Sequence, residues 1–111
     1  MKRFNLAVFR GAISEGRLEW RKHVLQRIAE RGIAQQAIRD ALLTGDLVRD
    51  YTEDKPFPSA LFLGYVAGKP LHVVASCDEI NRRACIITAY EPSQDVFESD
   101  FRTKKKYEPE T

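Results

Sequence analysis

The chain has 111 residues and a formal net charge of +2; 43% of its residues are hydrophobic and 31% are charged. These values fit one soluble globular domain that buries about two thirds of the surface of its unfolded chain. No stretch approaches the length of a membrane span, and Cys77 and Cys85 are too few for a disulfide framework or a zinc site. We therefore expect a reduced cytoplasmic protein rather than a membrane or secreted one.

Apolar residues recur at helical spacing three times between residues 3 and 45, and each set is followed by a glycine that can end a helix. The three sets are Leu6, Phe9 and Ile13 before Gly16; Trp20, Val24 and Ile28 before Gly32; and Ala37, Ile38, Ala41 and Leu42 before Gly45. This pattern predicts three helices, the first of them near residues 3–15.

Four strands are predicted to follow, at residues 47–52, 60–66, 71–77 and 84–91. The first reads as an edge strand, a proline-containing loop covers residues 52–59, and the turn Ala67-Gly68-Lys69-Pro70 joins the next two strands. The fold class is therefore α+β, with N-terminal helices packed on a four-stranded, mainly antiparallel twisted sheet. One domain spans residues 1–111, with helices at about 3–45, the sheet at about 46–92 and a C-terminal tail at 93–111.

The alternation of side chains along a strand assigns residues to the two faces of the predicted sheet. An even-length turn places Leu61 and Leu63 on the same face as His72. Whether Tyr90 joins them depends on the register of the second hairpin, which the sequence does not fix. The six-residue loop 78–83 sets Cys77 opposite Ala84 and directs Cys85 to the other side of the sheet.

The first set of candidate site residues is His23, Arg27 and Arg31, which are spaced four residues apart on the second predicted helix. This spacing forms one row along the rim of the apolar face, where arginines can bind an anion. In the alternative interpretation the arginines pair with surface acids such as Glu30 or Asp40, and His23 caps or packs.

The second set is His72 and Tyr90, which lie in neighbouring predicted strands. The alternative here is a histidine whose hydrogen bonds are satisfied within the sheet. The sequence contains no P-loop, dinucleotide-binding glycine motif, GxSxG motif or paired-cysteine or HExxH metal motif. An enzyme built on this chain would work without a metal or cofactor, through histidine, tyrosine, arginine, lysine and carboxylate groups.

Five motifs together resemble a bacterial family, the domain-of-unknown-function family 4258, between about Leu6 and Lys105. They are His23-x-x-x-Arg27-x-x-x-Arg31-Gly32-Ile33, Ala41-Leu42-Leu43-x-Gly45, Gly68-Lys69-Pro70-Leu71-His72-Val73-Val74, Ile86-Ile87-Thr88-Ala89-Tyr90-Glu91-Pro92 and Asp100-Phe101-Arg102. Proteins of that family resemble small RNA-cleaving toxins of the RelE and MqsR type, with the barnase-EndoU-colicin-RelE fold. Their genes often lie beside one for a YgiT-type zinc-finger protein that looks like an antitoxin.

The resemblance implies a metal-independent endoribonuclease, an mRNA interferase, with RNA as substrate and an antitoxin as partner; a homodimer is a further option. Its motifs carry over to His23, Arg27, Arg31, His72 and Tyr90, and less securely to Arg102. We assign His72 as general base or acid, Tyr90 as its partner or a phosphate ligand, and His23 as a second proton carrier or orienting residue. The arginines Arg27, Arg31 and Arg102 would bind phosphate. The alternative is a catalytically inactive RNA- or protein-binding module of the same fold.

Overall fold

The computed structural model describes residues 3–92, which form three helices and five strands. In chain order these are α1 (Leu6–Ser14), β1 (Leu18–Glu19), α2 (Lys22–Glu30), α3 (Gln35–Thr44), β2 (Asp46–Tyr51), β3 (Ser59–Val66), β4 (Lys69–Asp78) and β5 (Arg83–Tyr90). The α+β class is thereby confirmed. Within residues 3–92, none of the helices combines the length and the apolar character needed to cross a membrane. The predicted tail 93–111, including Arg102, lies outside the described residues.

The five strands form one mixed sheet in the order β1-β5-β4-β3-β2. Strand β1 runs parallel to β5, and the other neighbours are antiparallel. The prediction of four strands was therefore one strand short, because two residues are too few to show a periodic pattern. Strand β1 forms the edge of the sheet opposite β2 and lies next to β5. The helix that follows β1, α2, therefore packs against β5.

Glycines end the helices in two different ways. Gly16 and Gly32 follow α1 and α2 with φ angles of +80° and +67°, the left-handed conformation expected after a helix. Gly45 has an ordinary φ of −75°, but a Cβ there would lie 2.4 Å from the carbonyl oxygen of Ala41 and 2.6 Å from that of Leu63. The chain therefore turns from α3 into β2 too tightly for any side chain.

One face of the sheet, called here the helix face, packs against all three helices. The buried residues of this layer include Phe9, Ile13, Val24, Ile28, Ile38 and Leu42 from the helices and Phe62, Val73, Ala75 and Ile86 from the sheet. The aromatic rings of Phe9 and Phe62 stack at 5.2 Å between centroids. This cluster holds the helices on one side of the sheet and leaves the opposite face to carry polar groups.

The turn between β3 and β4 consists of Ala67 and Gly68, with φ angles of +50° and +81°. Two positive φ angles are typical of the two-residue turns that match the twist of a hairpin. The predicted four-residue turn was too long, since Lys69 and Pro70 already belong to β4. Because both lengths are even, the predicted faces are unchanged, and Leu63 lies on the same face as His72, as expected; the shorter turn makes the two residues direct partners.

A β-bulge in β5 decides where Tyr90 points. Pairing of β5 with β4 is regular up to Ile86 and resumes at Thr88, so Ile87 is an extra residue that has no partner in the register. Without this insertion, the residue before Tyr90 would lie opposite His72. The extra residue moves Tyr90 into that position, consistent with the general effect of bulges in re-aiming side chains.

Candidate functional site

The face of the sheet opposite the helices is called here the His72 face. Cross-strand pairing assigns to it Asp46, Arg49 and Tyr51 of β2, Ser59, Leu61 and Leu63 of β3, His72, Val74 and Ser76 of β4, and Cys85, Thr88 and Tyr90 of β5. Several of these side chains are buried although they lie outside the helix-face cluster. Polar and aromatic groups are thus concentrated on one side of the sheet.

His72 and Tyr90 form the central pair of this face. They are direct cross-strand partners, and their rings pack edge to face at 5.4 Å and 71°. Nδ1 of His72 lies 3.4 Å from the hydroxyl oxygen of Tyr90, which is long for a hydrogen bond between these groups. His72 is 0% exposed, whereas Tyr90 is half-buried. The tyrosine is therefore the member of the pair that solvent and ligands reach.

The environment of Tyr90 keeps its hydroxyl protonated. Burial raises the pKa of the Tyr90 phenol above its ordinary value of 10, and the nearby phenol of Tyr51 raises it further. At neutral pH the hydroxyl therefore carries its proton and can donate a hydrogen bond or act as an acid, but it does not serve as a resting base.

Arg31 lies beside Tyr90 because α2 packs along β5. It is the C-terminal cap residue of α2, and its Nη1 donates a 2.8 Å hydrogen bond to the carbonyl oxygen of Ala89. Arg31, Ile33, Tyr90 and Glu91 line a shallow depression of about 320 Å³. A cationic, a phenolic and an acidic residue thus contribute to the lining of one small concavity.

Glu91 is the site residue that sequence reasoning missed. It entered the sequence analysis only as a letter in the motif around Tyr90, and no charge pattern marked it. Its position directly after Tyr90, at the end of a strand, was the available signal. The structure places it in the lining of the same depression as Arg31 and Tyr90.

The residues of the predicted row on α2 do not line one common pocket. Arg27 is exposed, and its Nη1 lies 3.9 Å from Oε2 of Glu30, the ion pair that the alternative interpretation expected. His23 is exposed and lines a different pocket at the other end of α2. Of the three row residues, Arg31 alone lines the depression beside Tyr90. Arg102, which was predicted to bind phosphate together with Arg27 and Arg31, falls outside residues 3–92.

The position of His72 also changes its predicted role. A side chain with no exposed surface does not touch a phosphate bound at the depression, so direct proton transfer from His72 to RNA is not supported. His72 lies on the face away from the helices, whereas exposed Arg27 projects from α2. A phosphate held between Arg27 and His72 is therefore not supported either. The contacts shown for His72 are those with Tyr90.

The two cysteines are free and buried. Cys77 pairs with Ala84, as predicted from the loop length, and Cys85 pairs with Ser76 on the other side of the sheet. Burial raises the pKa of the Cys77 thiol to about 11, with smaller contributions from Glu79 and Asp78. Burial likewise raises the pKa of Cys85. Both thiols are therefore poor nucleophiles at neutral pH.

The described residues also bear on metal binding. Between residues 3 and 92, no group of three or more histidine, cysteine, aspartate or glutamate side chains is arranged to hold a metal ion. The acid–base and anion-binding groups at the depression are those of Tyr90, Glu91 and Arg31. Groups of these types can transfer protons and bind an anion.

Fold and site together define a small α+β domain. Its polar depression lies at the end of β5, the strand next to the edge strand β1. The sequence profile of the domain of unknown function DUF4258 matches residues 20–91, and the chain belongs to this family. The match confirms the family resemblance over a shorter range than expected, without the Asp100-Phe101-Arg102 motif. It includes all four residues of the depression. No curated protein and no solved structure matches the chain.

Proposed function

We propose that the chain is a toxin-like, metal-independent endoribonuclease, an mRNA interferase of a RelE/MqsR-like toxin–antitoxin pair that acts in the cytoplasm. The observation that supports the proposal is the depression whose lining includes Tyr90, Arg31 and Glu91, with the phenol of Tyr90 held in its protonated form. Cleavage of RNA without a metal requires these three kinds of group: an acid, positive charge and a base.

In the proposed reaction the ribose 2′-oxygen attacks the adjacent phosphorus. The bond between O2′ and phosphorus forms, and the bond from phosphorus to the 5′-oxygen of the next nucleotide breaks, which gives a 2′,3′-cyclic phosphate and a 5′-hydroxyl. Glu91 accepts the proton of the 2′-hydroxyl, and Tyr90 donates a proton to the leaving 5′-oxygen. Arg31 offsets the negative charge that develops on the phosphorane.

His72 is a positioning residue in this scheme. Its ring packs edge to face against Tyr90, and its Nδ1 lies near the phenol oxygen. These contacts restrict the rotation of the Tyr90 side chain. Loss of His72 would therefore lower the rate through misplacement of the acid.

A catalytically inactive RNA- or protein-binding module of the same fold is the second candidate. The complete burial of His72 and the long contact to Tyr90 favour it, since both also fit a pair that only stabilises the sheet. The proposed partners are RNA and a YgiT-type zinc-finger antitoxin, and self-association into a homodimer remains a prediction. The two candidates differ in whether RNA is cleaved or only bound.

Inducible expression of the chain alone in a bacterial host tests the proposal. We expect growth arrest and RNA decay with the wild-type chain and with Arg27→Gln, whose side chain lies outside the depression. We expect neither effect with Tyr90→Phe at the same protein level. Normal growth with intact RNA, or equal arrest by Tyr90→Phe, would contradict the proposed activity.

A further inference from the structure

His23 lies in a second pocket on the same side of the molecule as the His72–Tyr90 pair. This pocket, called here the His23 pocket, has a volume of about 210 Å³ and lies between the start of α2 and the loop that joins β2 to β3. Its lining includes Arg21, His23, Lys55, Phe57, Ser76 and Cys85. The function proposed above makes no use of it.

The charge of the His23 pocket suits an anion. Arg21, His23 and Lys55 contribute basic side chains to the lining. The acidic residue of the lining, Asp54, accepts a hydrogen bond from the hydroxyl of the buried Ser59, which anchors its carboxylate in the loop. Glu19 lies near Cys85, as Arg21 does, and offsets part of the positive charge. Basic groups still predominate at the pocket.

Phe57 adds an aromatic surface next to these basic groups. Its side chain is 38% exposed, although it lies in the pocket lining. The loop that carries it is held at both ends, because the backbone N–H of Asp54 donates to the carbonyl of Tyr51 and that of Cys77 donates to the carbonyl of Pro58. A ring presented on an anchored loop loses little conformational entropy when a flat ligand stacks on it.

Two lining residues of the His23 pocket, Ser76 and Cys85, share the His72 face of the sheet with Tyr90. Ser76 lies four residues beyond His72 on β4, which corresponds to about 13 Å along the strand. Cys85 lies opposite Ser76, just as Tyr90 lies opposite His72. One short single-stranded segment that follows β4 and β5 can therefore occupy both places.

We propose that the His23 pocket binds a second nucleotide of the RNA substrate, with its base stacked on Phe57 and its phosphate held by Arg21, His23 and Lys55. Stacking on aromatic side chains together with a basic lining is the general mode by which proteins bind single-stranded nucleic acids. This inference rests on the proposed function, since it takes RNA as the ligand. It assigns His23 to binding of substrate at a distance from the cleaved bond.

Fluorescence anisotropy with 2′-O-methyl oligoribonucleotides of increasing length tests this assignment, because these probes cannot be cleaved. The wild-type chain should gain affinity once the probe is long enough to reach from Tyr90 to Phe57. Phe57→Ala should weaken binding of the long probe by about 5- to 150-fold, the effect of losing one stacked base. Phe57→Ala should leave the affinity for the shortest probe, a dinucleotide, unchanged. Phe57→Tyr, which keeps an aromatic ring, should bind like the wild type.

Salt dependence supplies an independent measurement. The double variant Arg21→Gln/Lys55→Gln should lower the slope of log affinity against log salt for the long probe by about 1.4, for two lost phosphate contacts on a single strand. Phe57→Ala should keep the wild-type slope. Thermal unfolding of each variant provides the folding control.

The outcomes separate this inference from the proposed function. If the wild-type chain cleaves RNA but Phe57→Ala binds the long probe as well as the wild type does, the second subsite is wrong and the nuclease remains. An equal loss for short and long probes would also overturn the subsite. If the wild-type chain binds none of the probes and cleaves no RNA, both proposals fail.

Discussion

Replacement of Tyr90 by phenylalanine removes one oxygen and keeps the ring. The edge-to-face packing on His72, at 5.4 Å between ring centroids, is therefore retained. The lost contact to Nδ1 is 3.4 Å long. A bond at this distance falls at the weak end of the usual range, so we expect the free energy of unfolding to fall by about 0.5 kcal/mol. Loss of a general acid slows a reaction by about 10²- to 10⁴-fold, or about 3–5 kcal/mol in the barrier.

The increase in the activation free energy of cleavage should thus be about five times the decrease in the free energy of unfolding, or more. Urea unfolding gives the stability, single-turnover cleavage gives the rate, and anisotropy with an uncleavable probe gives the affinity, which should be unchanged. A rate within tenfold of wild type would refute the assignment of Tyr90 as the acid. A loss of affinity as large as the loss of rate would assign Tyr90 to binding instead.

Further predictions concern the neighbouring groups. Arg31→Gln should slow cleavage and lower the salt slope of RNA binding by about 0.7, whereas Arg27→Gln on the same helix should behave like wild type in both assays. Glu91→Gln should reduce the single-turnover rate without weakening the affinity for an uncleavable probe; unchanged cleavage would exclude Glu91 as the base. Burial raises the native pKa of Cys77 above the unfolded value of 9.0, so its contribution to stability is present below pH 9 and is lost as the pH rises toward 11. Urea unfolding from pH 8 to 11 should show this decline, and Cys77→Ala should reduce it. Cys85→Ala should also reduce it, because burial raises the pKa of that thiol as well.

The first hairpin and the cysteine positions were predictable from the sequence because they depend on counting residues. An even turn fixes which side chains share a face, so the shared face of Leu63 and His72 and the pairing of Cys77 with Ala84 followed directly. The ends of α1 and α2 were predictable as well, since Gly16 and Gly32 supply the conformation that ends a helix.

The register of Tyr90 could not be predicted because it depends on one unpaired residue. Ile87 is apolar like its neighbours in β5, and nothing in the pattern marks it as the bulge. Strand β1 was missed for a related reason, since Leu18–Glu19 is too short for periodicity to show. That short strand nevertheless determines where α2 lies, and hence that Arg31 reaches the carbonyl of Ala89.

The candidate site was predictable in its residue types but only partly in its geometry. Helical spacing placed His23, Arg27 and Arg31 in one row, yet a row of nine residues is long enough for its ends to reach different pockets. The burial of His72 was not predictable either, because alternation assigns a face and does not say what covers it. Phe57 stood in a loop without a periodic pattern, so its place beside His23 required the folded chain.

The most direct test of the central claim is the chemistry of the RNA ends that the purified chain produces. A single-stranded RNA is incubated in EDTA with the wild-type chain, with Tyr90→Phe and with Arg27→Gln, each shown to be folded, and the fragments are identified by mass spectrometry. We expect 2′,3′-cyclic phosphate and 5′-hydroxyl ends from the wild-type chain and from Arg27→Gln, and intact RNA with Tyr90→Phe. Intact RNA with the wild-type chain, cleavage that requires added magnesium, or equal cleavage by Tyr90→Phe would contradict the account.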